Sequence, residues 1–201
     1  MKRSMVRHFA AALSVFALSF ASVGSAFAGA ATDVVKSKQT ALFGLIKQGT
    51  PDSEKKIAAL FDDMLDYAAL TEGSLGSEWA PRSDAEKAQF SDLLKQLVRK
   101  GYERNLKKIV NAEVEYVAED AEGGAMMVKT KAKSKGDDRA EPVEIIFKLA
   151  EKGGAWRVQD IVTEGVSLVS SYRSQFTKIV KKDGFPALIQ KMKDKLAKGD
   201  L

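Results

Sequence analysis

Apolar residues at Val35, Leu42, Phe43 and Ile46 fall close to helical spacing across residues 32–47, and Gly49 marks a stop. Thr50 followed by Pro51 supplies an N-cap with proline at the first helical position, ahead of Ile57, Leu60, Phe61, Met64 and Leu65 on one stripe. Residues 66–81 carry Tyr67, Leu70, Leu75 and Trp79, but Gly73 and Gly76 interrupt the pattern, so short helical turns are expected there. Ser83 with Glu86 makes a capping box. From it Phe90, Leu93, Leu94, Leu97, Tyr102 and Leu106 continue a long helix to about Ile109, with Gly101 as a weak or bent point.

Beyond Asn111 the period changes from 3.6 to 2. Val114, Tyr116 and Ala118 alternate with Glu113, Glu115 and Val117; Met126, Val128, Thr130 and Ala132 alternate with Met127 and three lysines. Val143, Ile145, Phe147 and Leu149 form a third such series, and Trp156 with Val158 a fourth. Short turns containing Gly123-Gly124 and Gly153-Gly154 predict an antiparallel meander with one wet and one apolar face. Helical spacing returns near Val166 and, past Gly184, in a last amphipathic segment carrying Leu188, Ile189, Met192 and Leu196. The fold class is therefore α+β: a single domain with a four-stranded antiparallel curved sheet, covered on its apolar face by several helices.

The first 28 residues belong to a different category. Lys2, Arg3, Arg7 and His8 precede an apolar run over residues 9–23, and Ala26-Phe27-Ala28 gives a small-x-small cleavage pattern, so residues 1–28 are expected to be a signal peptide and 29–201 the mature domain. A second cleavage position follows Ala30. Removing 1–28 takes away three of the 32 Lys and Arg and none of the 27 Asp and Glu, which lowers the net charge from +5 to +2. The basic excess is thus largely a targeting signal, and nucleic acid is not an expected partner. The chain has no cysteine, and its single histidine, His8, leaves with the leader. That excludes disulfides, thiolate catalysis and a histidine-based triad, and no zinc site of Cys or His type is expected. No catalytic residue, metal or cofactor is assigned.

Asp160 with Glu164 is the one carboxylate pair worth weighing for acid–base work; the competing and favoured reading has them capping backbone amides at a strand end and a helix start. Asp62-Asp63 reads as a solvated helix face and Asp137-Asp138 as a turn. Residues 173–198 hold eight Lys and Arg against Asp183 and Asp194, which is either a solvated face or a docking surface for anionic headgroups or an acidic partner. Periodicity alone does not distinguish a filled core from a hollow one.

The run Asp160-Ile161-Val162-Thr163-Glu164-Gly165-Val166-Ser167-Leu168-Val169, continued by Ser170-Ser171-Tyr172-Arg173-Ser174-Gln175-Phe176, resembles the signature of the MlaC / toluene-tolerance family of periplasmic phospholipid-binding proteins. Leu75-Gly76 with Trp79, then Phe90 and Tyr102, look like that family's middle helices, and Gly184-Phe185 like the start of its C-terminal tail. The resemblance implies a periplasmic location and an internal lipid cavity between sheet and helices. It also implies transient membrane contact and shuttling of phospholipid between an outer-membrane lipoprotein complex and an inner-membrane ABC transporter with a lipid-binding substrate domain. Alternation places the expected tail-facing residues at Met126, Val128, Ile145, Phe147, Trp156 and Val158, opposed by Leu93, Leu97, Val166 and Val169. Tyr172 and Arg173 are candidates for a headgroup phosphate, a structural role being the other reading. The alternatives are a carrier of another lipid such as a hopanoid, a nuclear-transport-factor-like enzyme using a pocket Asp160, and a solid module docking a protein through its basic helix.

Overall fold

A computed structural model describes residues 29–135, 139 and 141–199; the expected signal peptide and Asp137-Asp138 lie outside the described residues. Four helices come first: α1 (Ala30–Gln48), α2 (Pro51–Met64), α3 (Tyr67–Leu75, followed by a 3-10 turn Gly76–Glu78) and α4 (Asp84–Ile109). Five strands follow: β1 (Ala112–Glu122), β2 (Ala125–Ser134), β3 (Val143–Lys152), β4 (Ala155–Thr163) and β5 (Val166–Ser167). Helices α5 (Leu168–Asp183) and α6 (Phe185–Lys198) close the described chain.

The helix starts follow from side-chain chemistry. The Thr50 hydroxyl accepts from the Ser53 amide and the Ser53 hydroxyl from the Thr50 amide, with Pro51 in the first turn. Ser83 and Glu86 exchange the same pair of bonds ahead of α4. Residues 67–75 form a regular helix where only turns were expected, because the Asp66 carboxylate caps the Ala69 amide at 3.2 Å. Gly73 fits inside that helix for a packing reason: a Cβ there would come 2.9 Å from Val169 Cγ1 of α5, so its absence lets α3 and α5 approach.

The sheet is an antiparallel meander in the order β1-β2-β3-β4-β5, one strand more than the four expected. Val166 does not begin a helix. The chain turns back through Glu164 and Gly165, both at positive φ (49° and 75°), as a two-residue hairpin turn requires, and Val166–Ser167 pairs with β4 before α5 starts at Leu168. Two bulges interrupt the alternation. In β1 Val117 is the extra residue, so Glu119 rather than Ala118 lies opposite the fully buried Val128. In β4 Gln159 is the extra residue, which sets Val158 opposite Leu149 and Ile161 opposite Phe147.

Helices α1, α2, α3 and α5 pack on the sheet. Phe61, Phe90, Leu75, Leu94, Leu149, Leu188, Val128 and Val158 are fully buried. Phe90 meets Phe176 edge-on at 5.5 Å, which joins α4 to α5. Asp62 and Asp63 lie exposed, as expected of a solvated helix face, but both are engaged in ion pairs. Asp62 pairs with Lys95 (2.9 Å) and Arg99 (2.6 Å) of α4, and Asp63 with Lys38 of α1 and with Arg157 (3.0 Å) of β4, so α2 is tied to three neighbours. Exposed pairs of this kind contribute at most about 1 kcal/mol each, so their main effect is to fix orientation.

The β1 bulge turns Glu119 onto the start of α1, where its carboxylate accepts from the amides of Gly29 (3.0 Å) and Thr32 (2.8 Å) and from the Thr32 hydroxyl. Burial pushes this carboxyl up, but the Thr32 and Gly29 donors outweigh it, and its pKa lies below the ordinary glutamate value. Stabilisation from this contact is therefore full above the unfolded-state pKa near ~4.3 and is lost as pH falls through the lower folded-state value. Glu119→Gln should reduce unfolding free energy by ~0.5–1 kcal/mol at pH 7, with the deficit shrinking as pH falls through the folded-state pKa. Urea titrations at pH 7 and pH 3 measure this, and an undiminished gap at pH 3 would contradict it.

Candidate functional site

A cavity of about 550 Å³ lies between the helices and one end of the sheet. Its floor is buried: Val35, Gln39 and Leu42 from α1, Phe61 and Met64 from α2, and Leu97 and Val98 from α4. Ile145 and Phe147 of β3 and Ile161 of β4 form the sheet wall, and Leu168, Ser171 and Tyr172 of α5 the opposing side. The exposed rim carries Arg104, Val143, Thr163, Val166 and Lys195.

Register explains why the hollow occupies only part of the apolar face. The cross-strand pairs Ile145–Thr163 and Phe147–Ile161 face the cavity, whereas the next pair, Leu149–Val158, is fully buried. There the Asp66 amide donates to the Val158 carbonyl at 2.9 Å, so the link between α2 and α3 is docked against the strand and fills the space. Gly101 contributes in the opposite way. It lies within α4, a Cβ built on it meets nothing within 4 Å, and it faces the cavity, so space is kept where any other residue would intrude.

Of the residues expected to face acyl tails, Leu97, Ile145, Phe147 and Val166 line the cavity, as does Tyr172. Leu93, Val128, Val158 and Val169 are buried in the hydrophobic core outside the lining of this cavity, and Met126 and Trp156 pack partly buried against that core. Arg173 is committed elsewhere: its Nε donates to the Gly73 carbonyl at 2.7 Å and its stem lies against Gly76, which locks α5 onto α3. Sequence reasoning missed the α1–α2 contribution, although the stripes with Val35, Leu42, Phe61 and Met64 were visible. It also missed Ile161, because the bulge at Gln159 has no periodic signature.

Among the described residues the lining contains no carboxylate. Burial pushes the Tyr102 phenol well above the ordinary tyrosine value, with Asp160 and Tyr172 adding to the effect, and burial raises Tyr172 as well. Both phenols are neutral at physiological pH. The hydroxyl of Tyr116 donates to the Gln39 amide oxygen at 2.7 Å, which satisfies a polar group in the floor. Asp160, the residue on which proton-transfer chemistry would depend, is not part of the lining. Its carboxylate accepts from the amides of Ile161 (2.8 Å) and Val169 (3.1 Å) and from the Ser167 hydroxyl. Ser167 in turn caps the Ser170 amide, so the acid pins β5 and the start of α5 to β4. What the described residues of the cavity offer is a mostly apolar space with a cationic and partly apolar rim.

The family model described as MlaC protein matches residues 30–194, from the first residue of α1 into α6. The chain belongs to the MlaC family. Among MlaC proteins, the one from Haemophilus influenzae described as intermembrane phospholipid transport system binding protein is 26% identical over 136 residues, which cover 65% of this chain and 64% of that protein. A phospholipid-binding protein from Ralstonia solanacearum, solved in complex with a phospholipid, shares the fold: TM-score 0.72 at 24% identity, over 85% of this chain and 99% of that one.

The division into hollow and solid ends has opposite consequences for two substitutions in ligand-free protein. Val158→Trp should destabilise by ~1–3 kcal/mol or more, since the fully packed end has no room for an indole. Gly101→Ala should stabilise by ~0.5–1 kcal/mol, since a methyl group enters empty space and the helix interior gains propensity. Thermal melts after delipidation distinguish them; a Val158→Trp protein that melts like wild type would place open space at the wrong end of the sheet.

Proposed function

We propose that this protein is a periplasmic phospholipid carrier: it is exported by cleavage of its leader, holds acyl chains in the cavity and leaves the headgroup at the rim. The observation that carries this reading is an apolar cavity with a buried floor that opens at a rim bearing Arg104, Val143, Val166 and Lys195. A tail buried there contacts mainly Val, Leu, Ile, Phe and Met side chains, while phosphate and glycerol oxygens stay near water. The carrier answers a physical barrier: at ~0.8 kcal/mol per methylene, two tails of about sixteen carbons face roughly 25 kcal/mol to cross water uncovered. The names of the Haemophilus and Ralstonia proteins, one an intermembrane phospholipid transport binding protein and the other solved with a phospholipid, support the same ligand class.

In this reading the protein is the soluble component of an Mla-type pathway. It exchanges lipid with an inner-membrane ABC transporter bearing a lipid-binding substrate domain and with an outer-membrane lipoprotein complex, and touches membranes only transiently. The enzyme alternative is not favoured, because Asp160 is spent on backbone amides and Ser167.

Protein purified from its native periplasm should carry phospholipid by native mass spectrometry and by organic extraction. Gly101→Leu should lower lipid per protein severalfold while raising the melting temperature of the delipidated form, because the added side chain occupies space otherwise available to a tail. Finding only the background lipid of an unrelated exported protein would sink the carrier reading, and a hopanoid in place of phospholipid would redirect it.

A further inference from the structure

We infer that Arg104 and Lys195 form a cationic seat at the cavity rim that selects lipids whose headgroup is net anionic, of the phosphatidylglycerol type, over zwitterionic ones. The inference rests on the carrier reading and adds to it the charge class of the cargo. Both residues line the cavity, both are exposed, and neither has an ion-pair partner among the described residues. That sets them apart from Lys95, Arg99, Lys152, Arg157 and Lys191, each paired with an aspartate.

Three acids next in sequence to rim residues hold bonds of their own. Glu164 accepts from the Glu144 amide, Asp194 from the Gln190 amide group, and Glu103 has a partner of its own. Among the described residues no carboxylate lines the cavity beside these two cations. A single phosphodiester bearing a neutral glycerol neutralises part of their charge. A zwitterionic headgroup brings an additional ammonium that finds no carboxylate in the lining and is repelled by the same two cations. Thr163 supplies a hydroxyl on the same lining that can donate to a phosphate or glycerol oxygen, whereas the Ser171 hydroxyl already donates to the Ser167 carbonyl at 2.8 Å. Arg173, the cation singled out from sequence, is excluded from this role by its bond to the Gly73 carbonyl.

The test loads delipidated protein from vesicles of equimolar phosphatidylglycerol and phosphatidylethanolamine at low salt, then extracts and quantifies bound lipid. Two exposed charge contacts should enrich phosphatidylglycerol roughly threefold to tenfold in wild type. The Arg104→Gln/Lys195→Gln double variant should return the ratio to the vesicle proportion, and Lys195→Gln alone should give an intermediate value. Lys193→Gln, on the same helix but outside the lining, should keep the enrichment. Wild type that takes lipid in vesicle proportion overturns the seat while leaving the carrier intact, whereas wild type that takes no lipid at all overturns the carrier. Retained enrichment in the double variant also overturns the seat. Inorganic phosphate that binds delipidated wild type but not the double variant, with lipid taken in vesicle proportion, would mark the rim as a site for free phosphate and overturn the seat.

Discussion

Protein interiors pack to crystal-like density, and a hollow lined by valine, leucine, isoleucine and phenylalanine gains free energy by collapsing. Keeping about 550 Å³ open therefore demands walls that are held from behind. One wall is the sheet, whose strands pair in order from β1 to β5. Each helix of the other wall is anchored outside the lining. Glu119 holds the start of α1, the Asp62 and Asp63 ion pairs hold α2, and Asp160 with Ser167 holds the start of α5. Behind the cavity Phe90, Phe176 and Phe185 cluster between α4, α5 and α6. Closing the hollow would require breaking several of these contacts together.

The same division of labour governs charge. Most carboxylates near the walls are consumed in orienting backbone or helices, and among the described residues the space carries two neutral phenols, a satisfied glutamine and, at its rim, two cations. Part of the run from Asp160 to Phe176 fits this picture as architecture, while Ile161, Thr163, Val166, Leu168, Ser171 and Tyr172 of the same run line the cavity. Asp160, Ser167 and Val169 form the clasp between β4 and α5, and Glu164 with Gly165 forms the turn that makes β5 possible. Their chemistry is hydrogen bonding to backbone, and none of Asp160, Glu164, Gly165, Ser167 or Val169 lines the cavity.

Much of the fold was legible because its signals are local. Thr50-Pro51 and Ser83 with Glu86 start helices through bonds spanning three residues, and Gly123-Gly124 and Gly153-Gly154 turn the chain between strands. The errors came where distant groups decide. Asp66 makes α3 a helix through its cap, but Gly73 is tolerated there because α5 passes close to it. β5 exists through the hairpin at Glu164-Gly165 and is held by the Asp160 bond to Ser167.

By itself the sequence determined the α+β class, the order of helices and strands, the face of the sheet that turns toward the helices, and the scarcity of groups for covalent chemistry. These depend on composition, capping and periods of 2 and 3.6, all carried by neighbouring residues. Only the tertiary structure decided where the apolar face is hollow. The Gln159 bulge exchanges Asp160 for Ile161 on the inner face, the α2–α3 link fills the space at Val158, and Gly101 leaves its own empty. Whether an apolar residue meets a neighbour or a void depends on segments far away in the chain, and hydrophobic periodicity records only which way a side chain points.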